Sequence, residues 1–540
     1  MHMACISFPR MSSDGKSMEI GRTMDIPTPL LLSTLAVSVV ICYVLFWKQV
    51  ATRKRAPLPP GPRGWPVLGN LPQLGGKTHQ TLHEMTKVYG PLLRLRFGSS
   101  DVVVAGSAPV AEQFLRAHDA NFSCRPPNSG GEHMAYNYQD VVFAPYGPRW
   151  RAMRKVCAVN LFSARALDDL RAVREREAAL MVRSLAAAGQ ATAAVPLGRA
   201  VNVCTTNALS RAAVGRRVFA AGAGDDEGAR EFKEIVLEVM QVGGVLNVGD
   251  FVPALRWLDP QGVVAKMKKL HRRFDDMMNG IIADRRKAGV TEEGKDLLGL
   301  LLAMVKDAGG EEDRITETDA KALILNLFVA GTDTTSTIVE WSLAELIRHP
   351  AILKQAQAEL DAVVGRGRLL SESDLPRLTF FNAVIKETFR LHPSTPLSLP
   401  RMAAAECEVA GYRIPKGAEL LVNVWGIARD PALWGPDPLE FRPARFLPGG
   451  SHADVDVKGG DFGLIPFGAG RRICAGLSWG LRMVTLASAT LVHAFDWEMP
   501  AGQTPDELDM EEAFTLLLQR AVPLMVHPVP RLLPLAYEIA

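Results

Sequence analysis

The sequence lacks most of the features that would tie it to nucleic acid, to zinc or to a disulfide framework. Its 61 Lys and Arg residues nearly balance its 58 Asp and Glu residues, and the formal net charge of +3 is too small to argue for nucleic acid. The seven cysteines are an odd number without paired spacing, which argues against a disulfide framework and for a reducing compartment. No CxxC pair or Cys/His cluster indicates zinc. No GxGxxG fingerprint or flavin motif is apparent, so a redox reaction here needs electrons from a separate protein.

The chain also has no internal repeat, and no long polar or low-complexity stretch divides it after about residue 62. A chain of 540 residues with 48% hydrophobic and 22% charged residues can bury a large core. We therefore expect one large domain over residues 63–540 behind a short N-terminal region. That region divides into a polar extension (1–23), a membrane-anchor segment (24–47) and a basic, proline-rich hinge (48–62). Translation can start at Met1 or at Met24.

The anchor is predicted from the apolar run Leu30 to Trp47, which is about 18 residues long and close to the minimum for a helix that spans a bilayer. By the positive-inside rule, the basic residues that follow this run stay in the cytosol together with the large domain. A cleaved signal peptide is the alternative, but its basic end would precede the apolar run and a small-residue cleavage site would follow it. Neither is seen, so we expect a single-pass membrane protein. The basic residues are Lys48, Arg53, Lys54 and Arg55.

Hydrophobic periodicity predicts a mainly α protein with small β-sheets. The segment Leu92 to Val104 alternates around Gly98-Ser99-Ser100-Asp101 and is typical of a β-hairpin. Helical patterns dominate from Ala108 onward. Arg125 to Tyr146 is an exception, because its prolines, glycines and aromatic residues predict a long irregular loop, a form more often functional than filler.

The most informative stretch runs from Pro466 to Gly476 and places Cys474 in a glycine-rich loop just ahead of an apolar run. A thiolate that ligates iron needs backbone N–H groups turned towards its sulfur, and glycines permit the positive φ and the room that such a bend beside a flat cofactor requires. Arg472 would pair with a haem propionate, and Phe467 would shield the sulfur from water. The alternative is an inert cysteine in a Gly-Arg turn, which is disfavoured because the phenylalanine, both spacings and the following helix are all present. The glycines concerned are Gly468, Gly470 and Gly476.

This loop matches Phe-x-x-Gly-x-Arg-x-Cys-x-Gly, the cysteine-ligand signature of the cytochrome P-450 superfamily, and the chain resembles that family. The resemblance implies a cytochrome P-450 fold, haem b with Cys474 as the axial iron ligand, and a monooxygenase reaction in which O2 and NADPH convert R–H to R–OH and water. It also implies an NADPH-cytochrome P-450 reductase as the electron donor, docking on a basic face near Arg471, and a place in the endoplasmic reticulum membrane.

Three further residues are expected at the haem propionates. Trp150 and Arg154 stand four positions apart on a helix announced by Gly147-Pro148, so they share one face. Taken alone, such a pair is more often a packed surface pair, but the resemblance implies that this Trp-x-x-x-Arg pair reaches the propionates. It implies the same role for Arg401.

A long helix is predicted from a capping-box-like Thr316-x-x-Asp319 to His349-Pro350, where proline stops it. The stretch Ala330 to Thr335 lies in its middle and contains a glycine and four consecutive polar residues. These residues cost stability in a buried helix, which indicates a function for them.

The resemblance implies what that function is. Thr334 would hold the reduced oxygen by a hydrogen bond, Asp333 would help to relay protons to it, and Ala330 is a candidate substrate contact. Intact Asp333 and Thr334 favour an oxygen-activating monooxygenase over relatives that only rearrange peroxides. The alternative is a polar kink that merely bends the helix.

Glu387 and Arg390 lie three positions apart on another predicted helix and share one face. Most such pairs are solvated and weak, but the apolar residues on either side imply burial, where a charged pair needs a third partner. Arg445 is the candidate partner, although Ala444 stands where the corresponding family motif often has a carboxylate. We interpret this triad as structural, holding the cysteine side of the haem pocket.

From Pro57 to about Pro530 the chain resembles plant flavonoid B-ring hydroxylases, among them the flavonoid 3'-hydroxylases. The resemblance implies 3'-hydroxylation of flavanones, flavones, dihydroflavonols and flavonols, and makes Tyr136, Thr515 and Leu516 candidate substrate contacts. A planar phenolic substrate suits an apolar pocket and an aromatic loop. The segments that carry the match are Gly130 to Asp140, Val245 to Phe251 and Leu518 to Leu524.

One departure falls at a turn expected to touch the substrate. These enzymes commonly show Tyr-Gly-Leu-Thr where this chain has Phe514-Thr515-Leu516-Leu517, which changes pocket volume and polarity. Two alternatives to 3'-hydroxylation therefore stay open. One is 5'-hydroxylation of 3'-substituted flavones, or 3',5'-hydroxylation. The other is a membrane haem-binding protein without turnover, which intact Asp333 and Thr334 disfavour.

Overall fold

The computed structural model describes residues 35–45, 56–189, 194–219, 227–288, 296–306 and 315–538. The chain forms two units, Met1–Ala56 and Pro57–Ala540. In the first unit an apolar helix, α1, covers Leu35–Leu45, inside the segment that we predict to cross the membrane. The remainder of that segment, the polar extension and the basic part of the hinge lie outside the described residues.

Helices make up most of the second unit. Those in its first half are α2 (Thr78–Tyr89), α3 (Ala108–Glu112), α4 (Ser129–His133), α5 (Pro148–Asn160), α6 (Ala164–Asp169), α7 (Arg171–Ala188), α8 (Leu197–Val214), α9 (Glu227–Gly243), α10 (Val248–Phe251) and α11 (Val263–Ala288). Those that follow are α12 (Leu297–Lys306), α13 (Glu317–Gly331), α14 (Asp333–Arg348), α15 (Pro350–Val364), α16 (Thr379–Leu391), α17 (Val424–Ile427), α18 (Pro431–Trp434), α19 (Leu477–Ala494) and α20 (Leu535–Glu538).

The strands are short and form small sheets. They are β1 (Leu92–Phe97), β2 (Ser100–Ala105), β3 (Val195–Pro196), β4 (Arg401–Met402), β5 (Cys407–Val409), β6 (Tyr412–Ile414), β7 (Glu419–Val422), β8 (Phe495–Glu498), β9 (Glu512–Phe514), β10 (Leu518–Arg520) and β11 (Met525–Pro530). Their spatial orders are β1-β2-β7-β4, β3-β11-β8, β5-β6 and β10-β9. The predicted hairpin is confirmed, since β1 and β2 pair antiparallel with Leu92 opposite Ala105. The predicted mainly α fold with small sheets is confirmed as well.

The predicted long helix is present, but it is interrupted. Thr316 and Asp319 form the expected capping box at the start of α13, a motif whose cap contributes about 1 kcal/mol. The helical geometry breaks at Thr332, where φ is −91° and ψ is −68°, and resumes in α14. The span Glu317–Arg348 is long and apolar enough to cross a bilayer, but 72% of its apolar window is buried inside the protein. It is therefore the core helix of the second unit.

The proline-rich stretch 57–62 is neither helix nor strand, and hydrogen bonds join it to the body of the second unit. The Arg94 backbone N–H donates to Pro60 O at 2.7 Å, and that of Arg413 donates to Pro57 O at 2.8 Å. A Cβ on Gly61 would lie 1.9 Å from the Arg94 carbonyl oxygen, so only glycine permits this approach. Residues 57–62 thus belong to the second unit.

In the main core, α8 packs against both halves of the long helix, and α19 packs against α14. Trp341 on α14 is fully buried, and its ring stacks on His392 with centroids 4.0 Å apart. Its indole N–H donates to Leu518 O at 3.1 Å, which ties the core helix to β10. A Cβ on Gly331 would lie 2.6 Å from a methyl carbon of Leu209, so this glycine lets α8 approach the point where the long helix breaks.

Candidate active site

Cys474 lies in the loop between a 3-10 turn, Gly470–Arg472, and α19. Its backbone N–H donates to Phe467 O at 2.9 Å, which closes the loop. Gly468 and Gly470 have φ angles of 72° and 68°, the left-handed conformation predicted for this bend. Gly476 does not share it, because its φ is −87°. A Cβ at Gly476 would instead contact the Cys474 sulfur at 4.0 Å, so the absence of a side chain keeps space beside the sulfur.

Cys474 is exposed, yet burial raises the pKa of its thiol, and both hold if the sulfur faces space inside the protein rather than bulk solvent. A hydrogen bond from the backbone of Gly476 and the charge of Arg154 act in the opposite direction and favour the thiolate. A metal ion would complete the deprotonation, because a coordinating thiol is a thiolate. Phe467 packs against Phe389 at 5.2 Å between centroids, on the same loop as the sulfur.

Two buried arginines, Arg401 and Arg472, and a partly buried one, Arg125, lie close together beside this loop. Their guanidinium groups donate mainly to backbone carbonyls. Arg472 Nε donates to Ser123 O at 2.7 Å, and Arg401 Nη2 donates to Ala469 O at 2.6 Å. Arg125 Nη1 donates to the carbonyls of Leu399 and Pro400 at 2.8 and 2.7 Å.

These three arginines repel one another. Burial lowers the pKa of Arg401 to about 10 and that of Arg472 to about 10. Burial and the charges of the other two hold the pKa of Arg125 well below its usual range. The Asp119 carboxylate lies 3.4 Å from Arg401 and also pairs with Arg471, so it neutralises Arg401 only in part. A bound anion would relieve this repulsion, which is what a propionate-binding cluster requires.

Arg125 was missed in the sequence, although it opens the loop that was singled out as functional. A single arginine ahead of two prolines carries no signal of its own. Its partners, the carbonyls of Leu399 and Pro400, lie 274 and 275 positions away in the chain. Only the fold brings them together.

Trp150 and Arg154 lie on α5 and share one face, as predicted. The Trp150 ring contacts two guanidinium groups, that of Arg154 at 5.7 Å and that of Arg472 at 4.5 Å from its centroid. Its indole N–H donates to Val141 O at 3.0 Å, a carbonyl that also accepts from Arg472 at 3.3 Å. Arg154 is close enough to Cys474 for the two charges to influence each other's pKa. The pair therefore belongs to the cysteine side of the site.

Three threonine hydroxyls bend back around the break in the long helix. Thr332 donates to Phe328 O at 2.8 Å, Thr334 to Ala330 O at 2.6 Å and Thr335 to Gly331 O at 3.0 Å. Each hydroxyl competes with the backbone ladder, which accounts for the interruption.

Asp333 is buried at the start of α14, and burial raises the pKa of its carboxyl. Asn202 Nδ2 donates to Asp333 Oδ1 at 2.6 Å and partly offsets that rise. Asn202 lies on α8 and was missed in the sequence, where nothing marks it among the other residues of that helix. Ala330, four positions before Thr334, is exposed although most of the helix around it is buried.

The remaining candidate substrate contacts are not all brought together. Thr515 and Leu516 lie in the turn between β9 and β10, where Thr515 N donates to Leu517 O at 3.2 Å. Tyr136, by contrast, turns towards α11, and its hydroxyl donates to Asp275 Oδ1 at 2.9 Å. Burial and the nearby Asp275 carboxylate raise the pKa of this phenol, which stays a neutral donor. Its hydroxyl is thus already engaged by a protein partner.

The structure places Glu387, Arg390 and Arg445 in one buried cluster. Arg390 forms a bidentate hydrogen bond to the Glu387 carboxylate at 2.7 and 2.8 Å, and Arg445 Nε donates to the same carboxylate at 3.4 Å. Arg445 also donates to the carbonyls of Trp434 and Asp437 at 2.8 and 2.7 Å. Each charge therefore has partners, as burial requires.

This donor set fits an iron porphyrin with two propionates. Cys474 offers a single accessible sulfur, and Gly476 leaves room beside it. Arg125, Arg401 and Arg472 offer mutually repelling positive charge for the propionates. The helix break at Thr332 sets polar groups in an otherwise apolar core helix.

The fold and the site together define a haem-thiolate monooxygenase. The chain belongs to the cytochrome P450 family, whose family model matches residues 59–526. It is 80% identical over 539 residues to a flavonoid 3'-monooxygenase of Oryza sativa subsp. japonica, a match that covers 97% of this chain and 100% of the relative. It is 54% identical over 513 residues to a flavonoid 3',5'-hydroxylase of Crocosmia x crocosmiiflora, covering 93% and 97%.

Solved structures give the same fold. A zebrafish cytochrome P450 solved with progesterone superposes with a TM-score of 0.72 at 25% sequence identity. The match covers 84% of this chain and 99% of the zebrafish chain. The cytochrome P-450 fold predicted from the cysteine loop is confirmed.

Proposed function

We propose that this protein hydroxylates the B ring of flavonoids at the 3' position, converting R–H, O2, NADPH and H⁺ into R–OH, water and NADP⁺. The observation that carries the proposal is 80% identity over the full length of a relative named a flavonoid 3'-monooxygenase. Flavanones, flavones, dihydroflavonols and flavonols that carry a 4'-hydroxyl group are the proposed substrates.

When bound, haem supplies the activation of O2 and the insertion of one oxygen atom into a C–H bond. The protein's residues hold it and control what reaches it. Cys474 would hold the iron through its sulfur, with a backbone hydrogen bond from Gly476 and the charge of Arg154 favouring its thiolate form. Arg401 and Arg472 are the proposed propionate partners, and Phe467 keeps water from the sulfur. Arg125 joins the propionate partners, and Trp150 supports Arg154 and Arg472 by ring contact.

Proton delivery is the second task of the protein. Thr334 holds its hydroxyl proton in a 2.6 Å bond to Ala330 O, so it can turn from that carbonyl to donate to an oxygen atom in the site. Asp333 is the proposed proton source behind it, because burial favours the protonated carboxyl that such a donor needs. Asn202 fixes one oxygen of that carboxyl through a 2.6 Å hydrogen bond.

The substrate is proposed to contact the turn that contains Thr515 and Leu516 and the open face of Ala330. These groups are small or apolar and suit a planar aromatic ring. Tyr136 acts on the substrate only indirectly in this proposal, because its hydroxyl is bonded to Asp275. It would fix the position of the loop that follows Arg125.

Electrons are proposed to come from a membrane-bound NADPH-cytochrome P-450 reductase, which would dock on the basic surface near Arg471. That side chain is 45% exposed and lies next to the cysteine loop. The catalytic unit would face the cytosol from the endoplasmic reticulum membrane, held by the apolar segment that includes α1. Charge reversal at Arg471 should weaken the salt dependence of reductase-supported turnover.

Oxidation at the 5' position is the second candidate function. It is favoured by the turn Phe514-Thr515-Leu516-Leu517, which departs from the usual pattern where the substrate is expected. A relative named a flavonoid 3',5'-hydroxylase is 54% identical to this chain.

Product analysis tests both candidates. Membranes that contain this protein and a plant reductase would receive NADPH with naringenin, apigenin or a 3'-methoxylated flavone, and membranes with Cys474→Ser would serve as the control. One oxygen atom added ortho to the 4'-hydroxyl group of the first two substrates supports 3'-hydroxylation. Oxidation of the methoxylated flavone extends the activity to the 5' position. If none is oxidised while the reduced wild type still shows a thiolate-haem spectrum with carbon monoxide, the flavonoid proposal is wrong and only the haem chemistry stands.

A further inference from the structure

The turn that contains Thr515 and Leu516 is held from its N-terminal side by a buried carboxylate. Glu512 opens β9 and is 9% exposed. Its Oε2 accepts hydrogen bonds from His79 Nε2 at 3.1 Å and from Gln80 Nε2 at 3.0 Å. Strand β9 is thereby anchored to α2, which lies more than 400 positions earlier in the chain.

The other oxygen of this carboxylate faces α17. Trp425 Nε1 donates to Glu512 Oε1 at 3.1 Å, and Arg429 Nη2 lies 3.5 Å from the same oxygen. Burial opposes the charge, but the bond from His79 and the charge of Arg429 lower the pKa of Glu512 to about 2. The carboxylate is therefore fully charged at every pH at which the enzyme would work. The stabilisation that its charge provides is lost only as the pH falls from about 4.5 towards 2.

His79 links the carboxylate to the turn itself. The ring is fully buried, and it meets the Phe514 ring edge to face with centroids 5.0 Å apart. It meets the Trp425 ring in the same way at 5.1 Å. Phe514 immediately precedes Thr515, so a shift of His79 moves the first residue of the turn.

The far side of the turn is tied to the region of proton delivery. Leu518 N donates to Ser394 O at 2.9 Å, and Ser394 Oγ donates to Thr334 O at 3.2 Å. A Cβ on Gly244 would lie 2.6 Å from Leu516 N, so the chain after α9 covers the turn closely. The turn thus contacts Ser394 at its C-terminal end and the chain at Gly244, while Glu512 and His79 hold its N-terminal end.

We propose that Glu512 is a positioning residue which, through His79, Gln80, Trp425 and Arg429, fixes where Thr515 and Leu516 meet the flavonoid B ring and so which ring carbon is oxidised. This rests on the proposed flavonoid hydroxylation. Glu512 touches neither the substrate nor the cofactor in this account. It acts on the turn, and the turn acts on the substrate.

Glu512→Gln tests the proposal because it keeps the shape and removes the charge. The amide can accept with only one of its two heavy atoms, so either the pair His79 and Gln80 or Trp425 loses its acceptor. Losing a hydrogen bond to a charged group of this kind corresponds to about a tenfold change in equilibrium. We expect product formed per NADPH to fall several-fold and the ratio of hydroxylation positions to change, at equal content of carbon-monoxide-binding protein. His79→Gln should do the same from the other side of the bond.

Glu511→Gln is the matched control. Glu511 adjoins Glu512 in the sequence, but its side chain is 59% exposed and pairs with Lys77 at the surface. This variant should keep the wild-type product ratio and the wild-type yield per NADPH. If Glu512 has only a structural role, Glu512→Gln should lower the amount of folded haem protein. The product ratio and the yield per NADPH of the protein that remains would then equal those of the wild type, and this result would overturn the proposal.

A second measurement does not depend on the substrate. Amide hydrogen exchange of the haem-bound protein should be faster at Thr515 to Leu518 in Glu512→Gln than in Glu511→Gln, because the turn has lost one of its supports. Equal exchange in the two variants would contradict the proposal that Glu512 holds the turn in place. If the wild type oxidises no flavonoid but exchange still differs between the variants, the proposed function is wrong, while Glu512 still holds the turn in place.

Discussion

Asn202 Nδ2 lies 2.6 Å from Asp333 Oδ1 and joins α8 to the break in the core helix. The carboxyl is buried, and burial raises its pKa. The amide donor is the one group that counters this rise. Asn202 thus lowers the pKa that burial raises at Asp333, which would make it a positioning residue in the proposed proton delivery.

Asn202→Leu should shift the pH dependence of product formation. Leucine has a similar size but no donor, so the pKa of Asp333 should rise further and the protonated form should persist to higher pH. The alkaline limit of product formed per NADPH should move up by about one pH unit, since one unit corresponds to the 1.4 kcal/mol typical of such a bond. Arg199→Gln, an exposed substitution on the same helix, should leave the limit unchanged. If both variants show the same alkaline limit, Asn202 has no role in proton delivery.

Thr334→Ala should separate electron consumption from product formation. The hydroxyl now donates to Ala330 O at 2.6 Å, and without it no hydroxyl at this position can donate to oxygen in the site. We expect NADPH consumption to continue while product per NADPH falls about tenfold or more and hydrogen peroxide accumulates. Thr334→Ser should restore most of the yield.

Thr335→Ala is the matched control for this experiment. Thr335 makes the same bond to the residue four positions earlier, at 3.0 Å to Gly331 O, but it is 4% exposed and lies on a different face of the helix. Equal peroxide release from Thr334→Ala and Thr335→Ala, per carbon-monoxide-binding protein, would show that helix distortion rather than the hydroxyl matters.

The features that the sequence predicts well are those specified by close neighbours in the chain. Positive φ at Gly468 and Gly470 and the capping box at Thr316 and Asp319 follow from residues a few positions apart. The bond between Glu387 and Arg390 is likewise set by their i,i+3 spacing on one helix.

Partners distant in the chain could not be predicted. Asn202 and Asp333 are separated by 131 positions, and His79 and Glu512 by 433. No local pattern selects such partners, because packing decides which side chains meet. For the same reason the segment Gly130 to Asp140, which carries the resemblance to flavonoid hydroxylases, did not reveal that the Tyr136 hydroxyl turns towards Asp275.

Glu387→Gln should sharply reduce the amount of folded protein. The substitution leaves Arg390 and Arg445 buried without their carboxylate, and breaking a buried charge pair in this way typically costs about 3 to 5 kcal/mol. The thermal unfolding midpoint and the yield of haem-bound protein should both drop. Glu84→Gln, which removes a surface pair with Lys87 whose side chains are 66% and 56% exposed, should change neither. A normal yield from Glu387→Gln would contradict the structural role of the triad.

Glu419 should make the stability of the protein depend on pH near neutrality. It lies on β7 opposite Val102 of β2. Burial raises the pKa of its carboxyl to about 7, the charge of Asp250 adds to the rise, and a hydrogen bond from Ser100 opposes it. Because the folded-state pKa is raised, the contribution to stability is complete below about pH 4.5 and is lost as the pH rises through 7. The wild type should therefore lose stability between about pH 5 and pH 7.5, by an amount on the order of 1 to 2 kcal/mol.

Glu419→Gln isolates this effect, because glutamine is neutral at every pH and keeps a similar volume. The unfolding midpoint of the haem-bound variant should change less than that of the wild type between pH 5.5 and pH 7.5, and at pH 7.5 the variant should be the more stable of the two. Glu408→Gln, at an exposed position on β5, should follow the wild-type pH dependence. If Glu419→Gln also follows it, the carboxyl of Glu419 is already ionised in the folded protein at pH 5.5, and the strand pair β2 and β7 tolerates that charge beside Asp250.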